Sequence, residues 1–517
     1  MRRVAGVCRI LGLEAMLWSS GMAQSFAQNA APAAPAAAIE LPEVNVVATS
    51  PLPGGGEDAD KTPAMVQTVP AEDFARTNSQ NVTDTLQQQI PGAVAIDVNG
   101  NDFAQDLRYR GFVASPIQGT PQGLAVYQNG IRVNEAFGDT VNWDLISPQA
   151  IYRADIFTNN PVFGLNALGG AVSLQMKNGY LWQGLTTQVM GGSYGRVSGL
   201  FEYGKQIDDY SLYVTADATH DGGWRFFSPS SIFRLYGNLG YRTPGNELHL
   251  IASGASSNVG VIGATPILLI DQDYRSVFTS PQTSLNQVGS LAFTGKFDIN
   301  PDWTVQSNFY LRSFEQRHVD ANDASIQDCS LLPQYGLPAG PVGKLCDTDN
   351  GSFIVNQQGQ AVASTGPVNF PYGVIDRTWV HANTVGTLLQ VTDTGKILDH
   401  DNYLNFGGSV DRSWLSYSAN ATLGVMQPNF VIDDGGIPGG VEIIQISPQP
   451  ISYPPISPGQ RPTTDCSRSI RSASRLALIL PPAGGSMSPK SQHRMRAEPH
   501  PNLIPAIPSR GSIPWSA

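Results

Sequence analysis

Residues able to do acid–base, nucleophilic or metal chemistry are scattered along this chain. Its seven histidines stand at 220, 249, 318, 381, 400, 493 and 500, none in a motif with serine or aspartate. There is no H-E-x-x-H, no G-x-S-x-G and no phosphate-binding loop, so hydrolytic and nucleotide chemistry lack a sequence basis. No His/Cys pair has ligand spacing, so neither a protein metal site nor a cofactor is expected. Cys8 lies near the N-terminus and Cys466 in an anomalous tail, while Cys329 and Cys346 bracket a loop-like segment. In an exported chain these two can form a disulfide; two free thiols are the alternative.

What remains is the chemistry of recognition. "DLRYRGF" reads as a strand with Leu107 and Tyr109 on one face and Arg108 and Arg110 on the other, before Gly111. The arginines are placed to meet an anionic ligand or to pair with Asp106 or Asp102, the second role being preferred. "EVNVVAT" is a β-prone island of Glu43, Val44, Asn45, Val46, Val47, Ala48 and Thr49 between two Pro/Gly/Ala-rich linkers. It can add as a strand to a partner's sheet edge or dock as an edge strand of its own protein. Asn129-Gly130 supplies the two positive-φ positions of a tight hairpin. In "VFGLNALGGAVSLQMKNG", Gly164 and then Gly169-Gly170 precede an alternating strand, and after it the whole chain changes character.

Larger elements must position these residues. At 517 residues the chain has room for two or more domains. Only 14% of it is charged, which favours turn-rich β structure. The net charge of −11 is uneven: residues 461–517 hold 8 Lys/Arg and 2 Asp/Glu, a net +6, leaving −17 for residues 1–460. Nucleic acid is therefore not an expected partner. No apolar run approaches the ~18 residues of a spanning helix, so a membrane role requires a β-barrel.

Residues 1–27 read as a signal peptide: Arg2, Arg3 and Arg9, an apolar stretch interrupted by Glu14, then Ser25-Phe26-Ala27 as the cleavage site. Residues 28–63 read as linker around the 43–49 island. Residues 64–179 read as a compact α+β domain. Its helix carries Val82, Leu86 and Ile90, with Ser79 or Asn78 as cap and Pro91-Gly92 as stop. From about 184 the period is two. Short turns near 206–209, 243–246, 300–302 and 393–401 alternate with long connections near 220–230, 255–285 and 315–380. That alternation is how outer-membrane barrels are built; a soluble sandwich shares the period but gives no reason for it.

At these residues the chain resembles a TonB-dependent outer-membrane receptor. "EVNVVAT" resembles the TonB box, "NVTDTLQQQIPGAVA" the plug's helix end, and "LRYRGF" its arginine-glycine strand. "LAVYQNGIRV" resembles its hairpin, and "DIFTNNPVFGLNALGGAVSLQMKNG" the stretch before the barrel. The resemblance implies an α+β plug followed by an antiparallel transmembrane barrel of about 22 strands. It also implies the outer membrane of a Gram-negative bacterium as location and its lipid as surroundings. The implied partners are TonB, with its inner-membrane energising complex, and a scarce small-molecule ligand such as a siderophore complex. The long loop 315–380 is the place to seek ligand contacts.

The chain departs from that pattern after its plug. About nine strands fall between 184 and 425, and the partial barrel at 180–460 gives way to an aperiodic basic tail at 461–517. The tail is expected to be an out-of-frame read, a truncation with an unrelated end, or a disordered extension. Nine or ten strands would leave two edges unpaired in lipid. A non-transporting remnant or ligand-binding plug fragment is then the alternative function, and a barrel enzyme the least favoured.

Overall fold

The computed structural model describes residues 46–47, 50–52, 56–58, 441–451, 472–475 and 64–436, the last without 159, 165, 357, 365–370 and 401. The leader at 1–27, Glu43 to Asn45, Ala48, Thr49 and nearly all of the basic tail lie outside the described residues. Within the island, β1 (Val46–Val47) pairs antiparallel with β2 (Glu57–Asp58), Val46 opposite Asp58 and Val47 opposite Glu57.

The α/β domain begins at β3 (Met65–Pro70), which runs into α1 (Ala71–Thr77) and α2 (Val82–Gln89). The stripe Val82, Leu86 and Ile90 is buried. The N-cap position of α2 belongs to Asn81, whereas Asn78 ends α1 at φ 48°. Ser79 acts from outside the helix: its hydroxyl accepts from Asn81 N at 3.0 Å and donates to Asp84 Oδ2 at 2.7 Å. β4 (Ala93–Ile96), β5 (Asp106–Tyr109) and β6 (Phe112–Ala114) form a three-stranded antiparallel sheet. The strand expected to run through Phe112 stops at Tyr109, because Arg110 (φ 51°) and Gly111 (φ 85°) make a tight turn. Two successive positive φ values match the twist of a hairpin.

β7 (Leu124–Gln128), β8 (Ile131–Arg132), β9 (Ile151–Thr158) and β10 (Gly170–Met176) join β3 in a five-stranded sheet, ordered β3-β9-β10-β7-β8. Only β10 and β7 run parallel. Alternation puts Leu124, Val126, Ile156, Val172 and Leu174 into the main core. It puts Ala125, Tyr127, Phe157 and Ala171 into a second cluster with Phe163. A sheet covered on both faces is fixed in register, since a one-residue slip would exchange the two sets.

The chain then builds one large antiparallel sheet. Its first strands are β11 (Gly184–Gly191), β12 (Val197–Ile207), β13 (Tyr210–Asp221), β14 (Ser230–Thr243) and β15 (Asn246–Gly260). After a loop holding α3 (Ile267–Gln272) come β16 (Gln282–Asp298) and β17 (Trp303–Asp323). The next loop contains the pair β18 (Ile326–Asp328) and β19 (Leu345–Asp347). β20 (Tyr372–Asp393) and β21 (Leu404–Met426) follow, and β22 (Ile432–Asp433), β23 (Val441–Ile451) and β24 (Ser472–Arg475) all pair with β21. Connections at 208–209, 244–245 and 299–302 lie at one end of the strands, and those at 222–229, 261–281 and 324–371 at the other. The sheet is not closed: among the described residues β11 pairs on one side only, with β12.

Its polarity is inverted relative to a water-soluble fold. Along β13, Ser211, Thr215, Asp217 and Thr219 are buried on the inner face, with Tyr213 among them, while Leu212 is exposed outward. β14 buries Arg234, Tyr236 and Asn238 and exposes Phe233, Leu235 and Leu239. β16 and β17 likewise expose Leu291, Phe293, Phe309 and Leu311. Polar-in, apolar-out strands describe the wall of a membrane barrel, and so large an exposed apolar band needs lipid or protein to cover it. The inner face carries the α/β domain: Tyr213, Tyr236, Ile251, Ala292 and Tyr310 belong to the same core as Val172 and Leu174.

Candidate functional site

Beside the shared core, the seam between the domain and the sheet carries a set of buried polar ties. Arg234, on β14, donates from Nε to Asp217 Oδ2 at 2.7 Å and from Nη1 to the carbonyls of Gln80 and Ile146, both at 3.1 Å. Ser147 Oγ reaches the other oxygen of Asp217 at 2.5 Å. Arg312, on β17, grips Glu135 with two bonds of 2.7 Å. Lys177, just after β10, donates to Glu202 Oε1 at 2.7 Å, where Tyr213 Oη also donates at 2.7 Å. These charges come as pairs because a lone buried charge costs several kcal/mol, about 3–5 when one partner is removed.

Asp144 takes part differently. Burial pushes its carboxyl above the ordinary range, against the hydrogen bond from Asn286 Nδ2 at 3.1 Å and the field of Arg234. Burial also lifts the Tyr127 hydroxyl to about 12, and that hydroxyl donates to Phe163 O at 2.5 Å.

The residues singled out in the sequence take separate places. Arg108 pairs with Asp106 at 3.4 Å, and Arg110 leans over the Tyr109 ring and reaches Met65 Sδ at 3.0 Å; Asp102 pairs instead with Arg196, on the sheet side. Asn129 (φ 49°) and Gly130 (φ 79°) form the β7–β8 turn, and Asn129 Nδ2 donates to Tyr236 Oη at 3.0 Å across the seam. Gly164 (φ 65°) has open space where a Cβ would stand. At Gly169 a Cβ would lie 2.1 Å from the Phe112 ring, and at Gly170 (φ 142°) 2.2 Å from Phe157 O. The glycine pair is thus where β10 closes against β9 and β6.

The tether after the island is lodged in the seam. Ser50 and Leu52 are buried, Ser50 Oγ donates to Gln390 Oε1 at 2.6 Å, and Leu52 Cδ2 would lie 2.8 Å from a Cβ on Gly130. The seam residues Arg234, Asp217, Glu135, Arg312, Lys177 and Glu202 were not singled out in the sequence. Four of them are charges on the polar faces of wall strands, a pattern that reads equally as a solvated face.

At the opposite end from the short turns, the loops and the domain's 100–103 segment line an open cavity of about 380 Å³. Asp102, Asp221, Arg196, Tyr194 and Trp224 are among its lining. In the longest loop Cys329 and Cys346 are joined by a disulfide, Cα–Cα 5.0 Å. Asp328 caps the turn beside it, accepting from Ser330 N and Gly343 N. Replacing both cysteines by serine is expected to cost about 3 kcal/mol of loop stability, the closure entropy for a separation of 17 residues. Limited proteolysis should then nick residues 324–371 while leaving the wall strands intact. Among the described residues, no cluster of three or more His, Cys, Asp or Glu could hold a metal ion.

Residues 58–171 match the family model of the TonB-dependent receptor plug domain. No curated protein sequence matches the chain. Among solved structures it is similar to FpvA of Pseudomonas aeruginosa bound to a heterologous pyoverdine, at 12% identity and TM-score 0.51, covering 78% of this chain and 51% of that one. It is also similar to FpvAI in complex with pyocin S2, at 13% identity and TM-score 0.51, covering 72% and 44%. The pyoverdine receptor FpvA of P. aeruginosa PAO1 bound to pyoverdine gives 12% identity and TM-score 0.50, covering 78% and 54%. At such identities the likeness is one of fold, and the chain spans about half the length of these receptors. Residues 58–171 therefore form a TonB-dependent receptor plug domain, seated on the polar face of the barrel-type sheet that follows it in the chain, an arrangement similar in fold to these receptors.

Proposed function

We propose that the chain acts in the outer membrane of a Gram-negative bacterium as a receptor for energised uptake of a scarce nutrient. The plug fills the lumen side of the wall, ligand binds at the outer mouth, and TonB engages residues 43–49 from the periplasm. An iron–siderophore complex is the first ligand class to consider, because a similar solved receptor carries pyoverdine. The observation that carries this reading is the polar seam. A plug held by hydrogen bonds and ion pairs can exchange its contacts for water when pulled, which an apolar interface of the same area could not do without a large hydrophobic cost.

TonB engagement is expected to be a main-chain event, strand added to strand. Val46–Val47 already pairs with β2, so the partner must take the free edge or displace β2. Val46→Pro removes a main-chain donor and is expected to weaken binding of the TonB periplasmic domain at least about tenfold. Ligand affinity and melting temperature should be unchanged. Undiminished TonB binding by Val46→Pro in a surface-immobilised assay would remove residues 43–49 from the partner site.

A further inference from the structure

We infer, building on the receptor reading above, that the outer-mouth cavity selects a ligand without net negative charge, so that its iron-bearing form is a ferric tris-hydroxamate rather than a ferric tris-catecholate. Three hydroxamates neutralise Fe³⁺, whereas three catecholates leave a trianion. The two chelates are similar in size and differ by three charges, so the electrostatics of the lining decides between them.

Of the guanidinium groups of Arg196, Arg275 and Arg225 at the mouth, the first two are matched by carboxylates. Arg196 lies between Asp102, at 2.9 Å, and Asp221, so these three groups of the lining sum to −1. Arg275 pairs with Asp273 at 3.1 Å and covers the Phe226 ring at 4.6 Å. Arg225 donates to Ser276 O at 2.8 Å and to Thr265, and it faces the carboxylate of Asp97. A trianion entering this cavity meets a net negative lining, and like charge at close range suppresses binding.

What the mouth offers instead is flat apolar surface. Trp224 and Tyr274 lie parallel, 9° apart with centroids at 6.0 Å, and are 39% and 56% exposed; Tyr194, which interacts with Tyr274, is 53% exposed. Tyr194 (φ 58°) and Phe227 (φ 57°) hold bulky aromatic side chains outward from left-handed backbone. Such placements are costly and need the surrounding structure to hold them. About 380 Å³ is within the range of small-molecule sites. An uncharged chelate can lay its peptide and alkyl faces on these rings without desolvating a charge.

The test uses the full-length chain in detergent, read by tryptophan fluorescence and calorimetry. The probes are ferrichrome (an uncharged ferric tris-hydroxamate), ferric enterobactin (a tris-catecholate trianion) and maltohexaose. Saturable ferrichrome binding, at least about tenfold tighter than enterobactin, is the expected result. Trp224→Ala and Tyr194→Ala should each weaken it about tenfold with an unchanged melting temperature, and Asp102→Asn should narrow the preference. Enterobactin binding as tightly as ferrichrome overturns the inference, as do binding of maltohexaose alone, binding of no probe, and indifference to Trp224→Ala. TonB binding to the same preparation is scored separately: its retention alongside a failed ferrichrome titration condemns the ligand class and leaves the receptor reading standing.

Discussion

Arg234→Met is expected to lower the stability of the seated plug by about 3–5 kcal/mol, the cost of leaving a buried charge without its partner. Arg234 is 2% exposed and binds one wall carboxylate and two plug carbonyls. Methionine fills much of its volume but leaves Asp217 with only Ser147, and the carbonyls of Gln80 and Ile146 without that donor. Arg234→Lys should recover little, since an ammonium cannot reproduce the planar fork that reaches three acceptors. Adding Asp217→Asn to Arg234→Met should return part of the loss, because the stranded charge is then gone. The measurement is thermal unfolding of the detergent-solubilised protein, with protease resistance of residues 64–176 as the local readout. An unchanged melting temperature for Arg234→Met would mean the pair is solvated.

Gly170→Ala is expected to be severely damaging, at about 4 kcal/mol or more. The new carbon would stand 2.2 Å from Phe157 O, a backbone atom of the neighbouring strand, and φ of 142° is closed to an alanine in any case. Relief requires β9 and β10 to part, and that pairing holds Val172 and Leu174 in the core. Gly164→Ala is the control within the same motif. It also has positive φ, but nothing lies within 4 Å, so only the left-handed cost of about 1–2 kcal/mol applies. The yield of protease-resistant plug should fall sharply for Gly170→Ala and modestly for Gly164→Ala. Equal yields would contradict the close-packing role of the glycine pair.

The wall strands were legible because a period of two survives on each strand and the turns between them alternate in length. The glycine pair was legible because two adjacent glycines ahead of an alternating strand have few other uses. Arg110 was misread as a strand residue: alternation of Leu107, Arg108, Tyr109 and Arg110 hides a turn, and arginine seldom adopts positive φ. The cap of α2 was misassigned by two or three residues because Asn78, Ser79 and Asn81 are all capping types. The seam stayed invisible. Asp217 and Arg234 lie 17 residues apart on the polar face of two strands, and no local pattern says that this face meets a domain rather than water. The tether docking at Ser50 and Leu52 also had no signal, since its composition is that of a free linker.

Residues 64–176 sit against the polar inner face of the sheet. Asn101 on the plug and Ser230 on β14 are joined side chain to side chain at 2.8 Å, while Phe233 points to the outer face. Cysteines placed at 101 and 230 should be bridged in intact outer membranes by a short bifunctional thiol reagent, and cysteines at 101 and 233 should not. Bridging of neither pair, with a cysteine at 230 freely labelled by a water-soluble maleimide, would show a plug outside its wall and contradict the account.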